Sequence, residues 1–194
     1  MTLMAAARVP APVFPLVVRH DGVSLRDERA SDLRARESLL DLAFGAERFA
    51  KTCERLREGR LAVHGLSLAA TQDDALVGTL RFWHVDAGGA PALLLGPLAV
   101  ADSHRSLGLG AALMRMGLAR AKALGHKAVI LVGDEPYYSR FGFLRAHAEG
   151  LDLPGWYDPA RFLALELGSG ALANASGMVV ATGARERRRI ARAA

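Results

Sequence analysis

The chain has 194 residues, 51% hydrophobic and 23% charged, the balance of a soluble globular protein with length for one domain and a sizeable core. Cys53 is the lone cysteine, which excludes an intrachain disulfide and any cysteine-cluster metal site; His20, His64, His84, His104, His126 and His147 show no HxxxH or comparable ligand spacing, so no metal is expected. The net charge of +5 does not describe a nucleic-acid surface, because Arg185, Arg187, Arg188, Arg189 and Arg192 against Glu186 put +4 in the last residues and leave about +1 for the body.

That basic tail reads as a solvated terminus, so neither nucleic acid nor a membrane is expected as a partner. At the other end, Pro10, Pro12 and Pro15 break up the apolar residues of MTLMAAARVPAPVFPLVVR. The segment therefore reads as neither a signal peptide nor a membrane span, and the expected compartment is the cytoplasm. We read residues 1–16 as an N-terminal extension, 17–167 as the folded domain and 168–194 as a C-terminal extension.

Ser31 or Asp32 suits the cap of a helix running to about Phe44, with Leu33, Leu40 and Phe44 among its apolar positions. Gly45 separates it from a second predicted helix over Glu47 to Glu58. There Phe49, Cys53 and Leu56 share one face, which makes Cys53 a buried structural thiol rather than a nucleophile. Strands are predicted at Leu66 to Ala70 and Leu76 to Val85 around the polar turn Thr71-Gln72-Asp73-Asp74, and Asp86-Ala87-Gly88-Gly89 turns the chain again.

The most informative stretch follows. Leu93, Leu94, Leu95, Leu98, Ala99 and Val100 form an apolar strand interrupted by Gly96-Pro97, where a bulge is expected because proline donates no ladder hydrogen bond. Arg105-Ser106-Leu107-Gly108-Leu109-Gly110 then opens a helix-forming segment. Main-chain N–H groups at a helix start lack intrahelical partners and carry positive potential, so such a turn suits a phosphate or diphosphate, with Arg105 adding charge. A bare GxG also serves as a tight connection. Leu113 stands where a dinucleotide fingerprint needs its third glycine and no Gly-Lys-Ser/Thr follows, so neither NAD nor ATP is indicated.

Leu109, Leu113 and Met116 share a face of this helix, which should end near Gly125. Ala128 to Val132 is a continuous apolar run, the mark of a strand buried on both faces, so strand, helix and strand form a parallel crossover. In Gly133-Asp134-Glu135-Pro136-Tyr137-Tyr138-Ser139-Arg140-Phe141-Gly142-Phe143, the placement of Asp134 or Glu135, Pro136 and Gly142 predicts one or two helical turns. Leu151-Leu153 and Phe162-Leu167 are predicted closing strands around Pro154-Gly155-Trp156-Tyr157-Asp158. Met178-Val179-Val180 reads either as an added strand or as a packed end.

Arg105-x-x-Gly108-x-Gly110 after an apolar strand resembles the acetyl-CoA diphosphate motif of the GNAT-superfamily N-acetyltransferases, Q/R-x-x-G-x-G/A. Tyr138-x-x-x-Gly142-Phe143 resembles the same family's Y-x-x-x-G-F element. The resemblance runs from about Val17 to Leu167. It implies an α/β (α+β) fold with a mixed, mostly antiparallel sheet flanked by helices around a central parallel βαβ unit. It also implies acetyl-CoA as cosubstrate, with pantetheine along the backbone of Leu98, Ala99 and Val100 and the diphosphate on Arg105, Ser106, Leu107, Gly108, Leu109, Gly110 and Ala111. Tyr138 would lie beside the thioester sulfur as the catalytic acid; a phenol near 10 stays protonated at neutral pH while the expelled thiolate, near 8.5, needs a donor. Tyr137 reads as its packing neighbour.

The segment before Tyr138 is shorter than in many relatives and lacks their asparagine, so that contact does not carry over. With no GxSxG elbow, direct attack by an acceptor amine in a ternary complex is expected. His84 and Asp86 stand as possible bases, and Trp156 and Tyr157 as residues that would line the acceptor pocket. The expected function is N-acetyl transfer to a small-molecule or protein amine, with a homodimer admissible; the alternative is a non-catalytic acyl-CoA-binding or regulatory module.

Overall fold

The computed structural model describes residues 17–186. Nine strands make the sheet, seven of them in the order β1-β2-β3-β4-β5-β6-β8. These are β1 (Val17–His20), β2 (Val23–Asp27), β3 (Ser67–Gln72), β4 (Ala75–Ala87), β5 (Ala90–Val100), β6 (Ala128–Val132) and β8 (Phe162–Glu166). Neighbours along this path are antiparallel except β5 and β6, which are joined by α3 (Leu109–Ala123) and run parallel. The predicted polar turns hold: Asp73 and Asp74 both take positive φ in the β3–β4 hairpin, as Gly88 and Gly89 do between β4 and β5.

Alternation along the strands splits the core in two. Leu93 and Leu95 of β5 and Val129 and Leu131 of β6 pack with Leu109, Leu113 and Met114 of α3 on one face. Ala92, Leu94 and Ile130 face the other way, against Leu56, Leu151, Leu153 and Phe162. This explains why β6 is an unbroken apolar run. Helix α3 comes close to the sheet because Gly117 has no side chain; a Cβ there would stand 2.7 Å from the Phe82 ring.

On the second face, α1 (Leu33–Phe44) seats Leu39 and Leu40, while Leu33 is 51% exposed. Asp32 precedes this helix without capping it. Its carboxylate instead accepts from Arg26 at 2.6 and 2.9 Å and from the Arg29 N–H at 2.7 Å, two bonds from one charged guanidinium winning over a neutral cap. The predicted continuous helix over 47–58 is not formed. A 3-10 segment at Ala46–Ala50 and the single turn α2 (Thr52–Arg55) are separated by Lys51 in an extended conformation. The break lets the Thr52 hydroxyl donate to the Trp156 carbonyl, tying α2 to the late loop, and it takes Phe49 off the face of Cys53, to 58% exposure.

Of the predicted closing strands, Phe162–Glu166 pairs with β6, whereas β7 (Leu151–Asp152) pairs with β9 (Gly177–Ala181) away from that edge. The segment Met178-Val179-Val180 is thus a strand. It lies along the second half of β4, and Val179 and Leu172 are buried in the second core. The arginines at 187, 188, 189 and 192 lie outside the described residues. Among those described, no helix is long and apolar enough to cross a membrane.

Candidate active site

The site begins where β5 and β6 part. They are in register only at Leu93–Val129 and Leu94–Ile130, although β5 continues to Val100, held on its far edge by β4. Opposite Gly96-Pro97 the β4–β5 register jumps, with Leu80 facing Leu98 and Phe82 facing Leu95, which is the expected bulge. The Gly96 carbonyl accepts from the Trp83 indole at 2.7 Å, fixing the kink to β4. Beyond Leu95, therefore, the β6 side of β5 is a strand edge with unpaired main-chain groups, able to accept an extended chain as an added strand.

At the far end of that edge, a 3-10 turn at Asp102–His104 leads through Arg105 into α3, with Ser106 at φ 67° and Gly108 at φ 74°. Two left-handed residues bracketing Leu107 give a concave turn, and a non-glycine residue in that region is the kind of strained backbone found at ligand sites. Among the described residues, no main-chain N–H from Ser106 to Ala111 donates within the fold; the first helical bond is Ala112 N–H to Gly108. The turn is anchored by its other groups: the Leu107 carbonyl lies 3.1 Å from His20 Nε2, and His104 Nε2 lies 2.6 Å from Gln72 Oε1. Arg105 is exposed and paired with Asp102 at 2.9 Å. Such a surface pair is worth at most about 1 kcal/mol, so an anion on the turn can compete for Arg105.

Across the opening, Pro136 starts the single turn α4 (Glu135–Tyr138), and Gly142 at φ 88° ends the 3-10 turn after it. The Tyr138 ring lies flat on Gly133, where a Cβ would approach its Cε2 to 2.2 Å; Tyr137 and Phe143 meet it edge-on at 4.9 and 6.0 Å. Burial, reinforced by Tyr137 and Asp134, pushes the Tyr138 phenol up to about 12. Tyr137 does more than pack. Its hydroxyl stands 2.8 Å from where a Cβ of Gly110 would be, so the glycine at the mouth of α3 is required by its neighbour as well as by the turn. The Arg140 guanidinium covers the Tyr137 ring at 4.5 Å.

A cleft of about 850 Å³ lies where the strands part, bounded by Leu95 to Leu98, Leu131 to Asp134, Tyr138, α2 and the late loop. Trp156 and Tyr157 line its mouth, Trp156 with 87% of its surface exposed. Cys53 also reaches the cleft, which its sequence pattern did not reveal. Burial pushes its thiol pKa up despite the neighbouring Arg57, so it is poorly suited to carry an acyl group. His84 and Asp86 do not line the cleft. The carboxylate of Asp86 accepts from the Gly89 N–H at 2.7 Å, closing its own hairpin, and the His84 ring lies 5.4 Å from that of His126.

The model of the Acetyltransferase (GNAT) family matches residues 31–143. The chain belongs to the GNAT family of acetyltransferases. It is 36% identical over 127 residues to the uncharacterised N-acetyltransferase YhbS of Escherichia coli K12, spanning 63% of this chain and 75% of that one. The crystal structure of Escherichia coli YhbS in complex with CoA superposes with a TM-score of 0.71 at 30% identity, over 88% of this chain and 93% of that one. A GNAT acetyltransferase from Brucella melitensis in complex with acetyl-CoA gives 0.59 at 29% identity, over 77% and 90%.

Of the sequence-predicted site residues, Leu98 and Tyr138 line this cleft, whereas Ala99, Val100 and the turn at 105–111 follow along β5 outside its lining. The cleft leaves out the two suggested bases. Sequence reasoning missed Gly133, Cys53 and Arg57. A glycine just after a buried strand and five residues before a tyrosine was a usable signal for the first. Arg57, one turn after Cys53, gave none.

Proposed function

We propose that this acyltransferase moves an acetyl group from acetyl-CoA to the nitrogen of an amine by direct attack in a ternary complex. The observation that carries the reading is the open edge of β5 between the free amides of 106–111 and Tyr138. That span suits a cosubstrate with a diphosphate at one end and a thioester at the other. The CoA and acetyl-CoA complexes of the Escherichia coli and Brucella relatives support the same cosubstrate here.

The residues act by binding and orientation. The amides of Ser106, Leu107, Gly108, Leu109, Gly110 and Ala111, with Arg105, hold the diphosphate; the backbone of Leu98, Ala99 and Val100 aligns the pantetheine arm along the strand edge. Tyr138 keeps its proton at every working pH, since its pKa is pushed up to about 12. Complete transfer of that proton to an ordinary thiolate near 8.5 would be uphill by roughly 5 kcal/mol. Its contribution is therefore a charge-assisted hydrogen bond to the departing sulfur, strengthened in the enclosed cleft. The raised thiol pKa of Cys53 argues against a covalent acyl-enzyme and for direct attack.

A screen of amines monitored by free thiol release tests the proposal. Turnover on at least one amine, reduced roughly 10²-fold or more in Tyr138→Phe with acetyl-CoA affinity retained, is the expected result. Acetyl-CoA binding without turnover on any amine would instead make the chain a binding module.

A further inference from the structure

The guanidinium of Arg57 is enclosed with only a loose ion pair to Glu54 among the described residues. Its side chain is 12% exposed, its Nε is buried without a partner, and among the described residues its nearest counter-charge is Glu54 at 3.7 Å, beyond hydrogen-bond reach. Other enclosed arginines are treated differently. Arg26, Arg36, Arg48, Arg81 and Arg120, all between 3% and 20% exposed, each hydrogen-bond a carboxylate. Burial drags the Arg57 pKa below the ordinary arginine value, with Cys53, Glu54 and Tyr138 working the other way. A buried charge of this kind is costly until something pairs with it.

Its position says what would. A Cβ on Gly96 would stand 2.8 Å from Arg57 Nη2, so the guanidinium rests on the bulge itself, where β5 and β6 part. Arg57 lines the same cleft as Tyr138 and also borders a second hollow of about 430 Å³ under Trp83 and Arg36. Tyr138 packs against the α3 face of the sheet, while Cys53 and Leu56, beside Arg57, belong to the opposite face. The two groups thus meet the gap from opposite sides, near enough to feel each other's charge.

On the proposed transfer, we infer that Arg57 is the anion-binding residue of the acceptor site and that the preferred acceptor is a small amine carrying a carboxylate close to its nitrogen. The planar fork of an arginine matches a carboxylate bidentately. Of the cleft's other cations, Arg48 and Arg161 are held by Glu37 and Asp41 and by Asp134, Arg55 donates to the Pro154 carbonyl and Lys51 lies over the Phe44 ring, which leaves Arg57 as the enclosed one to take a carboxylate. Because Arg57 and Tyr138 lie within electrostatic reach of each other, the two groups of the acceptor call for a short spacer.

The test compares amino acids with their primary amides, in turnover and in thermal stabilisation of the CoA-saturated protein. Wild type should prefer a free acid over its amide by roughly 10–100-fold, the worth of a charged hydrogen bond. Arg57→Gln should lose that preference while keeping its acetyl-CoA affinity, and Arg57→Lys should keep part of it. The melting temperature of Arg57→Gln should equal or exceed that of wild type, since the pair it breaks is the loose one with Glu54 at 3.7 Å and a buried charge is removed. Equal use of acids and amides by wild type, a preference that survives Arg57→Gln, or a fall of several degrees in its melting temperature would each overturn the assignment. Acid-selective stabilisation without turnover would leave Arg57 as the anion site and sink the transfer reaction instead.

Discussion

Gly133→Ala tests whether the placement of the Tyr138 ring, rather than its mere presence, matters. The added methyl would stand 2.2, 2.8 and 3.1 Å from Cε2, Cδ2 and Cζ. Non-bonded carbons settle at about 3.5–4.0 Å, so the ring must withdraw by about 1.3 Å or more. It has little room, because Tyr137 and Phe143 close it in, and Gly133 is itself tied through its N–H to the Arg161 carbonyl at 2.8 Å. A reacting group displaced by about 1 Å loses on the order of 10²-fold in rate, and overpacking costs typically 1–3 kcal/mol. Thiol release should therefore fall about as far in Gly133→Ala as in Tyr138→Phe.

Acetyl-CoA should still raise the melting temperature of Gly133→Ala, since the amide turn is untouched. In a Tyr138→Ala background the same substitution should cost almost no stability, as the methyl then has nothing to meet. A Gly133→Ala enzyme with wild-type turnover would refute the reasoning: the tyrosine would then act from a position the structure does not give it.

Gly110→Ala should abolish the melting-temperature rise given by acetyl-CoA, because a Cβ 2.8 Å from the Tyr137 hydroxyl deforms the start of α3; Tyr137→Phe, which removes that oxygen, should restore part of it. Acid should unfold the protein through its carboxylates. The Arg26 hydrogen bonds hold Asp32 below its ordinary pKa, and Glu37 is held down by Arg36 and Arg48 even though burial works against them. Groups depressed in the folded state stabilise it above their unfolded pKa, about 4 to 4.5, and that stabilisation is lost as pH falls through the folded values. Melting temperature should then be flat above about pH 5 and fall below about 4, and Asp32→Asn should lower it at neutral pH by about 3 kcal/mol equivalent while flattening the acid limb. With the Tyr138 phenol pushed up to about 12, the rate profile should show no alkaline loss assignable to it below about pH 10; an inflection near 10 that disappears in Tyr138→Phe would contradict its enclosure.

The parts of this protein legible in the sequence are those that local chemistry dictates. The bulge at Gly96-Pro97 follows from proline's missing donor, the turn at 105–110 from glycines ahead of a strong helix former, and the burial of β6 from an unbroken apolar run. Each depends on residues adjacent in the chain. The predicted helix over 47–58 failed because its fate depends on a residue a hundred positions away: the bond from the Thr52 hydroxyl to the Trp156 carbonyl favours a break at Lys51 that no local propensity signals.

The same division runs through the site. Main-chain donors at 106–111 need only a turn and a helix start, so the half proposed for the cosubstrate was readable. The acceptor half is assembled from α2, the bulge, the end of β6 and the late loop, elements whose juxtaposition is a property of the sheet. Arg57 illustrates it: in sequence it is one arginine among several in a charged segment, and only the fold shows that Arg55 and Arg60 bond the Pro154 and Gly183 carbonyls while Arg57 keeps a buried Nε without a partner among the described residues. Where an enclosed charge is left without a close partner among the described residues, the missing partner is a constraint on the ligand, and under the proposed transfer that constraint falls on the acceptor rather than on the acetyl donor.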